Sequence, residues 1–187
     1  MEGFSKAIQQ PEYVHVLLNH LPLTGLLIAV VFLLIAWVIN HRTSLLIALA
    51  LVGLLSLSVW PVAEFGEEAY DRVLSMADDA GGQYLKYHAQ LADHWLFLYY
   101  ITAAAAAAAW IVGWKKTKML RWAGGMVAVL AVASLAAGAM IAEAGGKIRH
   151  REFRYGPPPP RLENSEEVSS EEVSGLYQPE MLCSTQG

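Results

Sequence analysis

Four stretches of the chain are predominantly apolar, at about 14–39, 44–63, 86–114 and 119–144. Each is long enough to supply the roughly 20 apolar residues that carry a helix across a bilayer, so each is predicted to be a transmembrane helix. Leu21 to Asn40 and Thr43 to Ala63 are apolar on every side, the pattern of a helix facing lipid and other helices rather than water. The connections Asn40 to Thr43 and Lys115 to Arg121 are short, which makes helices one and two, and likewise three and four, antiparallel neighbours. The expected fold is all-α, an integral membrane four-helix bundle.

Polar positions organise the rest. Residues 1–12 form an N-terminal lead, with Pro11 a natural start for the first helix. The four-helix domain occupies 13–150. Inside the longer connection, Glu64 to Asp93, the stretch GEEAYDRVLSMA is predicted as a short amphipathic surface helix and Asp79 to Gly82 as a break. Residues 151–187 read as an extended tail, with Pro157 to Pro160 favouring polyproline II and SEEVS standing twice, at Ser165 to Ser169 and Ser170 to Ser174. The alanine run Ala103 to Ala109 and the Ala- and Gly-rich fourth helix predict close backbone packing, the means by which helices associate in lipid.

Composition agrees with a bilayer as solvent: 55% of the 187 residues are hydrophobic and 16% charged, too apolar for an ordinary soluble domain. A net charge of −4 without a basic stripe sets nucleic-acid binding aside. Cys183 is the sole cysteine, which excludes an intrachain disulfide, a Cys-based zinc site and covalent c-type haem. All 17 Asp and Glu fall in segments that four spans place on one side of the membrane. The short turns hold Arg42, Lys115, Lys116, Lys118 and Arg121, and this density predicts the turns in the cytoplasm and both termini outside.

Five of the six histidines, His15, His20, His88, His94 and His150, share the acidic side, near the ends of the spans. At about 1.5 Å of rise per residue, His20 lies roughly 8 Å beyond His15 and His94 roughly 9 Å beyond His88. Depth matching gives two layers, His20 with His94 inside and His15, His88 and His150 outside. Neutral imidazoles from different helices can clamp a b-type haem without any cysteine. Trp60, Trp95, Tyr99 and Tyr100 lie near the same level and fit its walls, although amphipathic rings also favour a membrane interface for its own sake. The carboxylates Glu64, Glu67, Glu68, Asp93 and Glu143 border the region, with Arg149 and Arg151 as candidate partners. Metal spacings such as H-x-x-H, and the nucleophile and phosphate-binding motifs of enzymes, are absent from the sequence.

The stretches HVLLNHLP from His15, GEEAYDRV from Gly66, YHAQLA around His88 and GGKIRH from Gly145 resemble a family of bacterial four-helix membrane proteins of unknown function, over about residues 13–154. Matching positions are His15, Asn19, His20, Pro22, His88, Gly145, Gly146, Arg149 and His150. Ala89 and Lys147 stand where the family often has Glu, and His94 lies outside its pattern, which promotes His88 over His94. Related domains occur fused to Rieske-type or cytochrome modules, so the resemblance implies a place in membrane electron transfer.

The leading expectation is a non-catalytic subunit of a membrane redox complex that binds haem b, with His20 and His88 as first choice of iron ligands and His15 and His150 as alternates. The tail is expected to be its contact arm for protein partners. The alternative is a cofactor-free structural or tethering subunit. An ion transporter ranks last, because the central turns of the first three helices lack ionisable side chains.

Overall fold

The computed structural model describes residues 6–115 and 117–156; the tail predicted at 157–187 lies outside the described residues. Within them the chain is helices and turns, without a strand. Four rods are long and apolar enough to cross a membrane: Pro11–Ile39, Arg42–Met76, Asp79–Lys115 and Met119–Arg149. This is the architecture of a multi-pass, all-α four-helix bundle.

Rod one comprises α1 (Pro11–Leu18), a π turn (Leu21–Gly25) and α2 (Leu26–Ile39). Pro22 has no N–H to return to a carbonyl one turn back, and the Gly25 N–H instead reaches the His20 carbonyl at 2.9 Å, the wider loop that defines a π turn. Asn40 ends α2 in the left-handed region at φ 56°, and His41 opens the next helix by accepting from the Ser44 N–H at 3.4 Å. Rod two comprises α3 (Arg42–Leu57) and α4 (Val59–Met76), rod three α5 (Asp79–Trp95) and α6 (Phe97–Lys115), and rod four is α7 (Thr117–Arg149).

In the apolar half, α2, α3, α6 and α7 pack in a ring, α2 on α3, α3 on α6, α6 on α7 and α7 on α2. Leu26, Leu33, Leu45, Leu49, Val52 and Ala131 are fully buried at its centre. Ala106 is buried as well, and a Cβ at Gly53 would lie 3.5 Å from it, so the alanine run packs as expected from small side chains.

The longest rods have 35 and 37 residues, about 50–55 Å at 1.5 Å each, against a hydrocarbon core of about 30 Å. The surplus lies at the acidic end, since the reversals at the other end follow the apolar helices directly. There the chain departs from the predicted boundaries. The amphipathic stretch after Ala63 does not stand apart; α4 runs unbroken to Met76 and continues α3 through Ser58, whose backbone stays near-helical at φ −61°, ψ −13°. The break falls at Ala77–Asp78, both extended, rather than at Asp79 to Gly82. Asp78 Oδ1 accepts from the Gly81 N–H at 2.9 Å, so Asp78 caps α5 and the following residues form its first turn.

Candidate functional site

At the acidic end the four rods resolve into two pairs, α1 against α4 and α5 against α7. The pairs meet near the α4–α5 turn, where Tyr70, Val73 and Leu74 pack on Tyr84, Leu85 and Ile148. A second meeting point lies between His15 of α1 and His88 of α5, whose rings stand 6.3 Å apart between centroids at an interplanar angle of 85°.

Each ring is fixed the same way. His15 lies on the face of α1 that Glu12 also occupies, three residues apart, and His88 continues the buried stripe Gly81, Tyr84, Leu85, Leu91 of α5. His15 Nδ1 is 2.7 Å from the Val62 carbonyl of α4, and His88 Nδ1 is 2.8 Å from the Ile141 carbonyl of α7. A carbonyl only accepts, so Nδ1 carries a proton in both rings, and in the neutral form of either ring Nε2 keeps its lone pair. One turn beyond each carbonyl stands a glycine under the ring. A Cβ at Gly66 would lie 2.9 Å from His15 Nδ1, and one at Gly145 would lie 3.1 Å from His88 Nδ1, so a larger residue would have to displace the imidazole. A neutral histidine held through Nδ1–H by a backbone carbonyl is the arrangement of a metal-ligating imidazole, because the bond sets both tautomer and ring angle.

The other predicted histidines are elsewhere. His20 is exposed, with Nδ1 turned back 3.0 Å to the Val16 carbonyl of its own helix. Five residues beyond His15 it lies about 140° further round the helix, so it cannot share the direction of His15. The structure thus brings His88 together with His15, its partner in the outer layer, and not with His20. His150 ends α7, exposed, with Nδ1 2.9 Å from Glu152 Oε1 and its ring stacked on Phe153 at 4.9 Å. His94 is exposed and edges onto Trp95 at 4.8 Å.

Two of the carboxylates bordering this end, Glu64 and Glu143, take local partners. Glu64 accepts from Trp60 Nε1 at 3.2 Å, and Glu143 pairs with Lys147 at 2.7 Å rather than with Arg149 or Arg151. Arg151 reaches Asp78 instead, at 3.1 Å. Exposed pairs of this kind contribute about 0–1 kcal/mol each. Glu12 differs: Oε1 meets Arg72 Nε at 3.0 Å, while Oε2 is buried with no hydrogen-bond partner among the described residues.

Reading histidines by depth did not find Val62, Gly66, Ile141 and Gly145. Their signal is a matched pair of pentapeptides, Val62-Ala63-Glu64-Phe65-Gly66 and Ile141-Ala142-Glu143-Ala144-Gly145, visible only when the two halves of the chain are set against each other. Compared with known protein families, curated proteins and solved structures, the chain matches none.

Proposed function

We propose that His15 and His88 together hold one b-type haem, and that the protein is an electron-transfer subunit at one face of a bacterial inner membrane. The carrying observation is the matched anchoring of the two rings, each with Nδ1–H on a backbone carbonyl and Nε2 without a hydrogen-bond partner among the described residues. Two imidazoles that ligate one ion from opposite sides, with metal–nitrogen bonds of about 2.0 Å, have ring centroids roughly 6 Å apart, and these stand at 6.3 Å. Among the described residues no group of three or more His, Cys, Asp or Glu side chains is gathered for a bare metal ion. A pair of imidazoles meets the needs of haem iron, whose porphyrin supplies the remaining nitrogens.

A haem so held carries one electron at a time. The chain's part is to fix both tautomers through the Val62 and Ile141 carbonyls and to seat the rings against Gly66 and Gly145. The resemblance to bacterial membrane proteins whose relatives join redox modules supports the same setting. On this reading the termini are periplasmic and the tail is an arm for protein partners.

The second reading is a cofactor-free structural subunit, favoured by the fact that 6.3 Å and 85° also suit a direct edge-to-face ring contact. In that case the pair simply ties the two hairpins together. A reduced-minus-oxidised spectrum of detergent-purified, haem-supplemented protein separates them. The haem reading expects a sharp α band that gives way to the broadened spectrum of a singly ligated, still bound haem in His15→Ala and His88→Ala and is kept in His20→Ala, His94→Ala and His150→Ala. No α band in the parent protein establishes the structural reading instead.

A further inference from the structure

The anchoring of His15 and His88 is not merely similar in kind; it recurs element by element. Rods one and two form a helical hairpin, and rods three and four form another. In each, a histidine near the start of the first rod donates through Nδ1 to a carbonyl on the second, at 2.7 Å to Val62 and 2.8 Å to Ile141. In each, the glycine four residues past that carbonyl lies under the ring. The intervening residues follow one pattern, an aliphatic residue, Ala-Glu, a variable position and Gly, at 62–66 and 141–145. Six residues past each glycine stands an arginine, Arg72 and Arg151, and each crosses to a carboxylate at the beginning of its partner rod, Glu12 at 3.0 Å and Asp78 at 3.1 Å. The halves differ where local chemistry differs: Pro22 imposes a π turn on the first, and Asp78 is a helix cap whereas Glu12 lies inside its helix.

Chance accounts poorly for the coincidence in topology, hydrogen bonding and glycine placement at one register; the arginines keep that register too, whereas their carboxylates do not, Glu12 standing three residues before His15 and Asp78 ten before His88. We infer that the chain is two copies of one helical hairpin related by an approximate two-fold axis passing between His15 and His88, and that both halves bind the group held there equivalently. This rests on the haem reading and narrows it. With haem bound, His15 and His88 would hold the iron equivalently, one from each half, and no position would be left for an exogenous ligand. Such a centre would supply electron transfer and would not bind or activate small molecules such as dioxygen or peroxide.

Carbon monoxide on the reduced, full-length, haem-replete protein is the test. The parent protein should show no CO-induced shift of its Soret band. His15→Gly and His88→Gly should each gain that shift, and added imidazole should suppress it in both. Gly66→Ala and Gly145→Ala, which push a methyl group into the respective rings, should each gain it in part. A CO shift in the parent protein overturns the closed site while leaving haem binding intact. An unchanged spectrum in one histidine variant beside loss of ligation in the other overturns the equivalence of the halves. Absence of any haem band in the parent removes the haem reading, and the closed centre falls with it.

Discussion

Arg154 donates from Nη1 to Asp78 Oδ2 at 3.0 Å, tying the residue that caps α5 to the chain that has just left α7. The same guanidinium reaches the Lys147 and Ile148 carbonyls at 2.7 and 2.8 Å, two of the acceptors that a helix C-terminus leaves without partners. One arginine thus caps the end of α7 and closes the second hairpin. The Arg154 hydrogen bond, then the Gly81 N–H and the charges of Arg154 and Arg151, hold the Asp78 carboxyl down to about 2 from its ordinary 3.8.

A pKa lowered in the folded state means that the carboxylate's contribution is complete above about pH 4 and is lost as pH falls towards 2. The segment 150–156 should therefore release from α5 in that window. Protection of the amides at residues 147–154, taken relative to their intrinsic exchange rates at each pH, should fall in the parent protein between pH 5 and pH 2. In Asp78→Asn the same amides should be poorly protected at pH 5 already, with little further change on acidification.

In the membrane-spanning half, Thr102 Oγ1 and Ser134 Oγ are 2.9 Å apart and both residues are fully buried, linking α6 to α7. Ser134 also donates to the Leu130 carbonyl at 3.1 Å, so removal of Thr102 leaves it one partner. Hydrogen bonds between membrane helices are worth about 0.6 kcal/mol on average and at most about 1.7. Thr102→Val should destabilise the bundle by an amount in that range in detergent unfolding. A double-mutant cycle with Ser134→Ala should show coupling between the two sites; additive effects would mean the bond contributes nothing.

Tyr99 lies buried against α7 where Gly138 leaves room, its hydroxyl 3.5 Å from the Pro22 carbonyl and in the space a Cβ at Gly138 would take. Gly138→Ala should cost about 1–3 kcal/mol by overpacking. Tyr99→Phe removes the clashing oxygen, so the double variant should recover part of that loss. If Gly138→Ala is equally harmful with and without the tyrosine hydroxyl, the contact is not the cause.

The spans and both hairpins are legible in the sequence because long apolar runs and short polar turns each admit one arrangement. The break between rods two and three is harder. Asp78 and Asp79 are adjacent and chemically alike, and only the bond from the Gly81 N–H decides which one caps α5. Depth along each helix correctly sets His15 level with His88, but their meeting depends on rotation about the helix axes, which follows from packing of α1 on α4 and α5 on α7. Gly66 and Gly145 acquire their meaning only through the ring opposite each of them, so neither reads as more than a small residue in its own helix.

The weakest element carrying a site residue is α1. It has no fully buried residue, so its place on α4 depends on a few polar anchors, chiefly His15 on Val62 and Glu12 on Arg72. Eight residues do not hold a helix by propensity alone, and loss of an anchor should free the whole element rather than one side chain. The two ends of the ion pair are unequal. Glu12 has one oxygen buried without a hydrogen-bond partner, whereas Arg72 is about half exposed, at 53%. Removing Glu12 returns an arginine to water at little cost. Removing Arg72 leaves a carboxylate partly shut from solvent with no cation, a loss of about 1–3 kcal/mol. Arg72→Ala should accelerate hydrogen exchange across 11–18 more than Glu12→Ala does, and the double variant should resemble Glu12→Ala, since the stranded charge is then gone. Equal effects of the two single variants would show that the pair acts through simple attraction and that burial of Glu12 plays no part.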